Sequence, residues 1–298
     1  MGNPNDSQMH SIDNREFAIF WRCMVSVLAI VVALPTSAIA ADDRLPIFDT
    51  HVHYSSQAWT VYDADAVFKK LDAAGVDRAL VSSTPDDGTL ILRRRDVRRV
   101  VPVLRPYHGD LHAGNWYRSP EIVAYLEGRL ENGFYRGIGE FHLFDDDDAR
   151  TPTMRRVAAL AVAHNIALHV HSGAGPIAAL FDAEPNLKIL WAHAGMVEPA
   201  DVVANMLDRY ARLTAEVAFR AGDIAPGGKL GPSWRRLFIR HTDRFMIGTD
   251  TYINDRWDVY GSLINEHRNW LDQLPRETAE AIAFGNADRV FGAEATSQ

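Results

Sequence analysis

Past Asp42 the chain alternates between short, β-rich apolar runs and longer segments whose apolar residues recur at helical spacing. The first run, Ile47-Phe48-Asp49-Thr50-His51-Val52-His53-Tyr54, opens as a strand and ends in two histidines placed i, i+2. Asp63–Ala74 reads as a helix closed near Gly75, and Arg78–Ser83 as a buried strand. After a Pro85-Asp86-Asp87-Gly88 loop, Leu92–Arg99 predicts a short exposed helix and Val100–Leu104 the third strand. A long loop follows, Arg105–Arg118; its Trp116 and Tyr117 either cap a pocket or pack on neighbouring helices. Ser119-Pro120-Glu121 starts the next helix, with proline at the first position and an acid in the first turn. The remaining strands are Tyr135–Glu140, Ile166–His171, Leu187–His193, Leu213–Val217 and Arg244–Gly248. Helical segments over Thr153–Asn165, Ile177–Ala183, Pro199–Tyr210 and Ser233–His241 separate them. This alternation predicts parallel pairing in an α/β fold closed as a (β/α)8 TIM-like barrel. An open doubly wound sheet is the alternative, but no Gly-x-Gly-x-x-Gly turn follows an early strand.

Composition narrows the picture. With 47% hydrophobic and 23% charged residues the chain is an ordinary globular one, and its formal charge of −8 argues against a nucleic-acid partner. Near the N-terminus Arg22 precedes an apolar run, Met24–Leu34, then Pro35 and the small-x-small site Ala38-Ile39-Ala40. That predicts a signal peptide over 1–40, with the domain 41–298 periplasmic or secreted and not stably membrane-associated after cleavage. An uncleaved anchor is the alternative, and Met9 an alternative start. The single cysteine, Cys23, lies in this leader, so any metal in the mature chain is held by His, Asp and Glu. Roughly 255–260 residues remain, the usual size of one such barrel. Whether the protein forms a homodimer stays open.

Several strands finish on a metal-competent side chain: His51 and His53, Glu140, His171, His193 and Asp250. In a barrel all C-terminal strand ends face one mouth, so these residues converge there. A strand spacing of i, i+2 points both first-strand imidazoles to one face, where neutral imidazoles suit a transition-metal ion.

In these residues the chain resembles the amidohydrolase superfamily, in its amidohydrolase-related branch. The resemblance covers Leu45 to Gly292 and is carried by Asp49-Thr-His-Val-His53, by Gly248-Thr-Asp250, and by a closing helix at Ala283–Phe291. It implies that His51, His53, His171 and Asp250 bind a divalent ion, commonly zinc. It also implies that His193 either binds a second ion or polarises the substrate. Glu140 stands where relatives with two ions often carry a carbamylated lysine, which leaves one or two ions open.

A divalent ion with an open position acidifies water and polarises a carbonyl. Asp250 is then the expected general base, and His193 the group that stabilises a developing oxyanion. Blander readings are a helix N-cap for Asp250, a structural salt bridge for Glu140 and a buried hydrogen-bonded ring for His193. Strand parity predicts a deeper inward layer. It groups Ile138, Trp191 and Gly248, and it places Asp49 with His169, hydrogen-bonded to each other or orienting the ligands. A different register would make His169 the ligand instead of His171. Arg105 and Arg220, past strands three and seven, are candidates to clamp a substrate carboxylate.

The expectation is an exported, metal-dependent hydrolase of a small ester, lactone or amide. The rival readings are a metal-dependent decarboxylase of a small carboxylic acid and a non-catalytic metal- or ligand-binding barrel.

Overall fold

The structure, a computed structural model, describes residues 44–292, so the expected leader and Cys23 lie outside the described residues. One sheet holds β1 (Ile47–Val52), β2 (Val76–Val81), β3 (Val100–Leu104), β4 (Gly137–His142), β5 (Ala167–His171), β6 (Lys188–Trp191), β7 (Leu213–Glu216) and β8 (Phe245–Met246) in chain order. All neighbours run parallel. Asp49 bridges Ile247, and both the amide and the hydroxyl of Thr50 donate to the Ile247 carbonyl, at 2.9 and 2.8 Å. These contacts bring β8 back to β1 and make the (β/α)8 barrel.

Helices α1 (Ala64–Ala74), α2 (Asp87–Arg95), α3 (Glu121–Leu130), α4 (Pro152–Ala163), α5 (Ala174–Ala183), α6 (Ala200–Arg209) and α7 (Pro232–Arg240) follow successive strands. Their starts are chemical. Asp63 accepts the Ala66 amide at 2.7 Å to cap α1, and Thr151 accepts that of Met154 at 3.1 Å to cap α4. The helix expected at Leu92–Arg99 begins earlier, at Asp87, because an acid favours the positive end of the helix. Gly88 permits the shift, since a Cβ there would lie 1.8 Å from the Tyr54 carbonyl oxygen. Trp116 is wholly buried against Phe141, ring centroids 4.6 Å apart, so it packs in the core and does not cap a pocket.

Two apolar layers hold the barrel. The larger joins outward strand residues such as Leu168, Val170, Ile189 and Trp191 to the helices. A smaller one fills the N-terminal end, where Phe48, Leu80, Val103, Leu190 and Met246 meet Ala287 and Phe291 of the closing helix Asn286–Phe291. Burying Phe48 completely there contributes about 2–3 kcal/mol.

The predicted inward layer of Ile138, Trp191 and Gly248 does not form. Ile138 and Trp191 face the helices. A register irregularity between Gly139 and Phe141 lets Glu140 turn inward although Ile138, two residues earlier, points out. His193 gains its inward direction after β6 has ended, in a tight turn where its φ is 56°. Gly248 does face inward, but the side chains it makes room for are Glu216 and His51.

Candidate metal centre

His51 and His53 leave β1 on one face, wholly buried, with their Nε2 atoms 3.1 Å apart. Each ring is braced from behind. His51 Nδ1 faces Glu216 Oε1 at 3.0 Å, and His53 Nδ1 faces the Ser82 carbonyl at 2.5 Å. An Nδ1–H donated to oxygen leaves a bare Nε2 lone pair, so two such atoms this close repel unless a proton or cation lies between them. Asp250 and Glu140 close the group. Asp250 Oδ1 lies 3.5 and 3.3 Å from the two Nε2 atoms, and Glu140 Oε2 lies 3.5 and 3.2 Å from them.

Glu140 has a second side. Its Oε1 meets His171 Nδ1 at 2.8 Å and His193 Nε2 at 3.7 Å. His193 is braced like the first pair, with Nδ1 3.1 Å from the Ala218 carbonyl and Nε2 buried without a hydrogen-bond partner. Asp250 Oδ1 is likewise buried and unpartnered. Asp250 is no helix N-cap: the next helix is capped by Ile253. Its place is fixed by its amide on the His51 carbonyl at 2.6 Å and by Arg256 Nε on its own carbonyl at 2.7 Å.

The field follows from three buried carboxylates. Burial opposes charge on His51, yet Asp250, Glu140 and Glu216 override it and raise its pKa well above the usual value. Burial likewise opposes ionisation of Glu140, but His51 and the hydrogen bond from His171 hold it well below the carboxylate range. Asp250, against the same burial, is lowered to about 2 by His51 and His53. The site therefore calls for added positive charge. Its separations match donors sharing one first-row ion, roughly 3–3.5 Å from one another. Bare imidazole nitrogens, ionised carboxylates and two unpartnered buried atoms fit a divalent metal.

Sequence reasoning missed Glu216. It is fully buried at the end of β7, bonds His51, and accepts the backbone amides of His193 and Ala218, both at 2.6 Å. The only signal was an acid closing the apolar run Leu213-Thr214-Ala215.

The expected Asp49–His169 contact is absent. Asp49 is turned towards β8, accepting from the Thr249 amide and hydroxyl at 3.0 and 2.6 Å and from Tyr260 Oη at 2.8 Å. Burial raises its pKa to about 6 against those bonds. His169 packs instead on the His51 ring, centroids 4.6 Å apart. Each supports the strand of His51 separately, Asp49 through the His51 amide at 3.1 Å.

Arg105 and Arg220 part ways. Arg105 lines a mouth cavity of about 310 Å³ with Glu140, His142, His171, Phe219 and Asp250. Arg220 does not reach that cavity. Its guanidinium is buried, donating to the carbonyls of His193, Ala194 and Glu198 at 2.8–3.2 Å, so it braces the turn that aims His193.

The sequence matches the amidohydrolase family profile over residues 48–293. No curated protein matches it. Among solved structures, a candidate 2-pyrone-4,6-dicarboxylic acid hydrolase of Pseudomonas putida is similar at 16% identity and TM-score 0.60, over 84% of this chain and 98% of that one. A Burkholderia multivorans amidohydrolase with bound zinc is similar at 15% and 0.55, over 83% and 99%. A manganese-bound 5-carboxyvanillate decarboxylase of Novosphingobium aromaticivorans is similar at 12% and 0.53, over 84% and 96%. At such identities the likeness is one of fold.

Proposed function

The chain belongs to the amidohydrolase family of metal-dependent enzymes, and we propose that it is an exported hydrolase of a small ester, lactone or amide. The observation that carries this reading is the His51–His53 pair, its Nε2 atoms 3.1 Å apart and faced by Glu140 and Asp250. These four residues would hold one divalent ion. His171 and His193, on the other oxygen of Glu140, provide for a second. The nitrogen-rich set favours zinc, the metal bound in the Burkholderia multivorans structure. When bound, the ion supplies Lewis acidity to a water and to the substrate carbonyl.

The chain's own groups do the rest. Asp250 is ionised at neutral pH; its Oδ1, facing the paired Nε2 atoms, would hold the ion, and its Oδ2 takes the proton of the attacking water and passes it to the leaving group. His193 is set by the Ala218 carbonyl to keep Nε2 bare in its neutral form, so it accepts or ligates there. It can donate to an oxyanion only when protonated, which Glu216 favours against burial. Arg105, on the cavity wall, orients the substrate.

Arg105 also favours the second reading, decarboxylation of a small acid, since an arginine on the cavity wall suits a substrate carboxylate. The two are separated by assaying zinc- or manganese-loaded protein against ester, lactone and amide panels and, in parallel, for carbon dioxide release from aromatic acids. Hydrolysis abolished by chelation and by His51→Ala supports the first reading. Turnover indifferent to both refutes the metal mechanism.

A further inference from the structure

His142, two residues beyond Glu140 on β4, lines the mouth cavity with its ring stacked on His171 at 4.2 Å. Tyr107 reaches it from the loop after β3. The Tyr107 hydroxyl accepts the His142 backbone amide at 3.0 Å and lies 2.9 Å from His142 Nδ1. A buried phenol keeps its own O–H bonded, and Nδ1 is the only acceptor it meets among the described residues. Nδ1 therefore accepts, and the proton of the neutral ring sits on Nε2. This is the reverse of His51, His53 and His193, whose Nδ1 atoms all face oxygen acceptors. Although His142 lies close enough to Glu140 and His171 to share a cation with them, the Tyr107 bond makes it a donor and not a ligand.

The ring of Tyr107 also lies beneath the guanidinium of Arg105, 4.7 Å from centroid to Cζ. Arg105 spends Nε and Nη2 on the carbonyl and Oε2 of Glu140, both at 3.0 Å, which leaves Nη1 with no protein acceptor among the described residues. One tyrosine thus sets two N–H donors on the wall of one cavity.

We propose that Tyr107 is a positioning residue that presets His142 as an Nε2–H donor, and that His142 and Arg105 together form a subsite for a carboxylate on the substrate. Two donors against two oxygens is the arrangement a carboxylate satisfies. The proposal rests on the functional reading above only in assigning this cavity to substrate; the tautomer belongs to the protein alone.

The test is long-range 1H–15N NMR of zinc-loaded, 15N-histidine protein, with His142 assigned from the His142→Gln spectrum and benzoate as the probe carboxylate. The expected spectrum shows His142 as the Nε2–H tautomer, with that proton moving downfield on benzoate addition. Tyr107→Phe should lose the single tautomer and bind benzoate about tenfold more weakly. His142→Leu should weaken binding similarly, and His142→Gln, which keeps a donor, should recover part of it. Melting curves confirm that each variant is folded. An Nδ1–H ring in the wild type, an Nε2–H proton that benzoate does not shift, or benzoate affinity unchanged from the wild type in Tyr107→Phe and His142→Leu overturns the proposal. Failure of every hydrolysis and decarboxylation assay with these signatures intact would count against the catalytic reading alone.

Discussion

Glu216 Oε1 accepts the Nδ1–H of His51 at 3.0 Å, across 165 residues of chain, and the same oxygen takes the backbone amide of His193 at 2.6 Å. One buried carboxylate therefore orients a histidine on each side of Glu140. Replacing it by its near-isosteric amide, Glu216→Gln, should lower metal affinity by about 10–100-fold with the fold intact. Competition with a chromogenic chelator measures this, and an unchanged affinity would remove Glu216 from the supporting role.

Gly248 gives a steric version of the same test. A Cβ there would lie 2.6 Å from Glu216 Oε2 and 2.7 Å from His51 Cβ, both buried. Gly248→Ala should cost about 1–3 kcal/mol of stability and reduce metal content. Full occupancy with an unchanged melting temperature would show that the centre yields to a methyl group without strain.

Elemental analysis of the purified protein should find at least one equivalent of a divalent metal. His51→Ala should remove it and lower turnover by at least about a hundredfold, as should chelation, with re-addition of zinc restoring only the wild type. Normal metal content in His51→Ala would sink the assignment of that ligand.

His267 sets an acid limit on the fold through a group that is not among the proposed ligands. It is buried on α8 (Tyr260–Leu271), donating Nε2–H to the Gly248 carbonyl at 2.8 Å, and burial lowers its pKa from 6.5 to about 4. The unfolded chain binds this proton more readily than the folded one. Its contribution is whole above pH 6.5 and is lost as the pH falls towards 4. Between pH 7 and pH 5 the wild type should lose about 2 kcal/mol more than His267→Gln, read from urea midpoints. Equal losses in the two proteins would show that the imidazole is not the group responsible.

Export predicts a mature protein beginning at Ala41. Mass spectrometry of the protein recovered from the periplasm or medium of a bacterial host reads that terminus directly. Full-length protein retained in the cytosol would argue against a cleaved leader.

Much of this was legible in the chain because the relevant signals are local. The alternation of apolar runs with helical segments, and the i, i+2 histidines on β1, are readable without neighbours. Glu216 was not, because its meaning lies in His51, on the far side of the sheet order. Ile138 and Trp191 were misplaced because parity holds only while a strand stays regular, and β4 has its irregularity just where Glu140 must turn in. Arg220 was misread for another reason: position after a strand locates its Cα, whereas the long side chain found carbonyls to bind beneath the mouth.

The junction of β1 and β8 is stitched largely by side chains, with Thr249 on Asp49 across 200 positions and the Thr251 hydroxyl accepting from the amide of His53 and donating to its carbonyl. The reactive centre straddles that junction. A polypeptide still being made therefore has no finished cation cradle until its last strand docks. Copies clipped before that point lack Asp250 and should be inert, so the chemistry waits for the finished molecule.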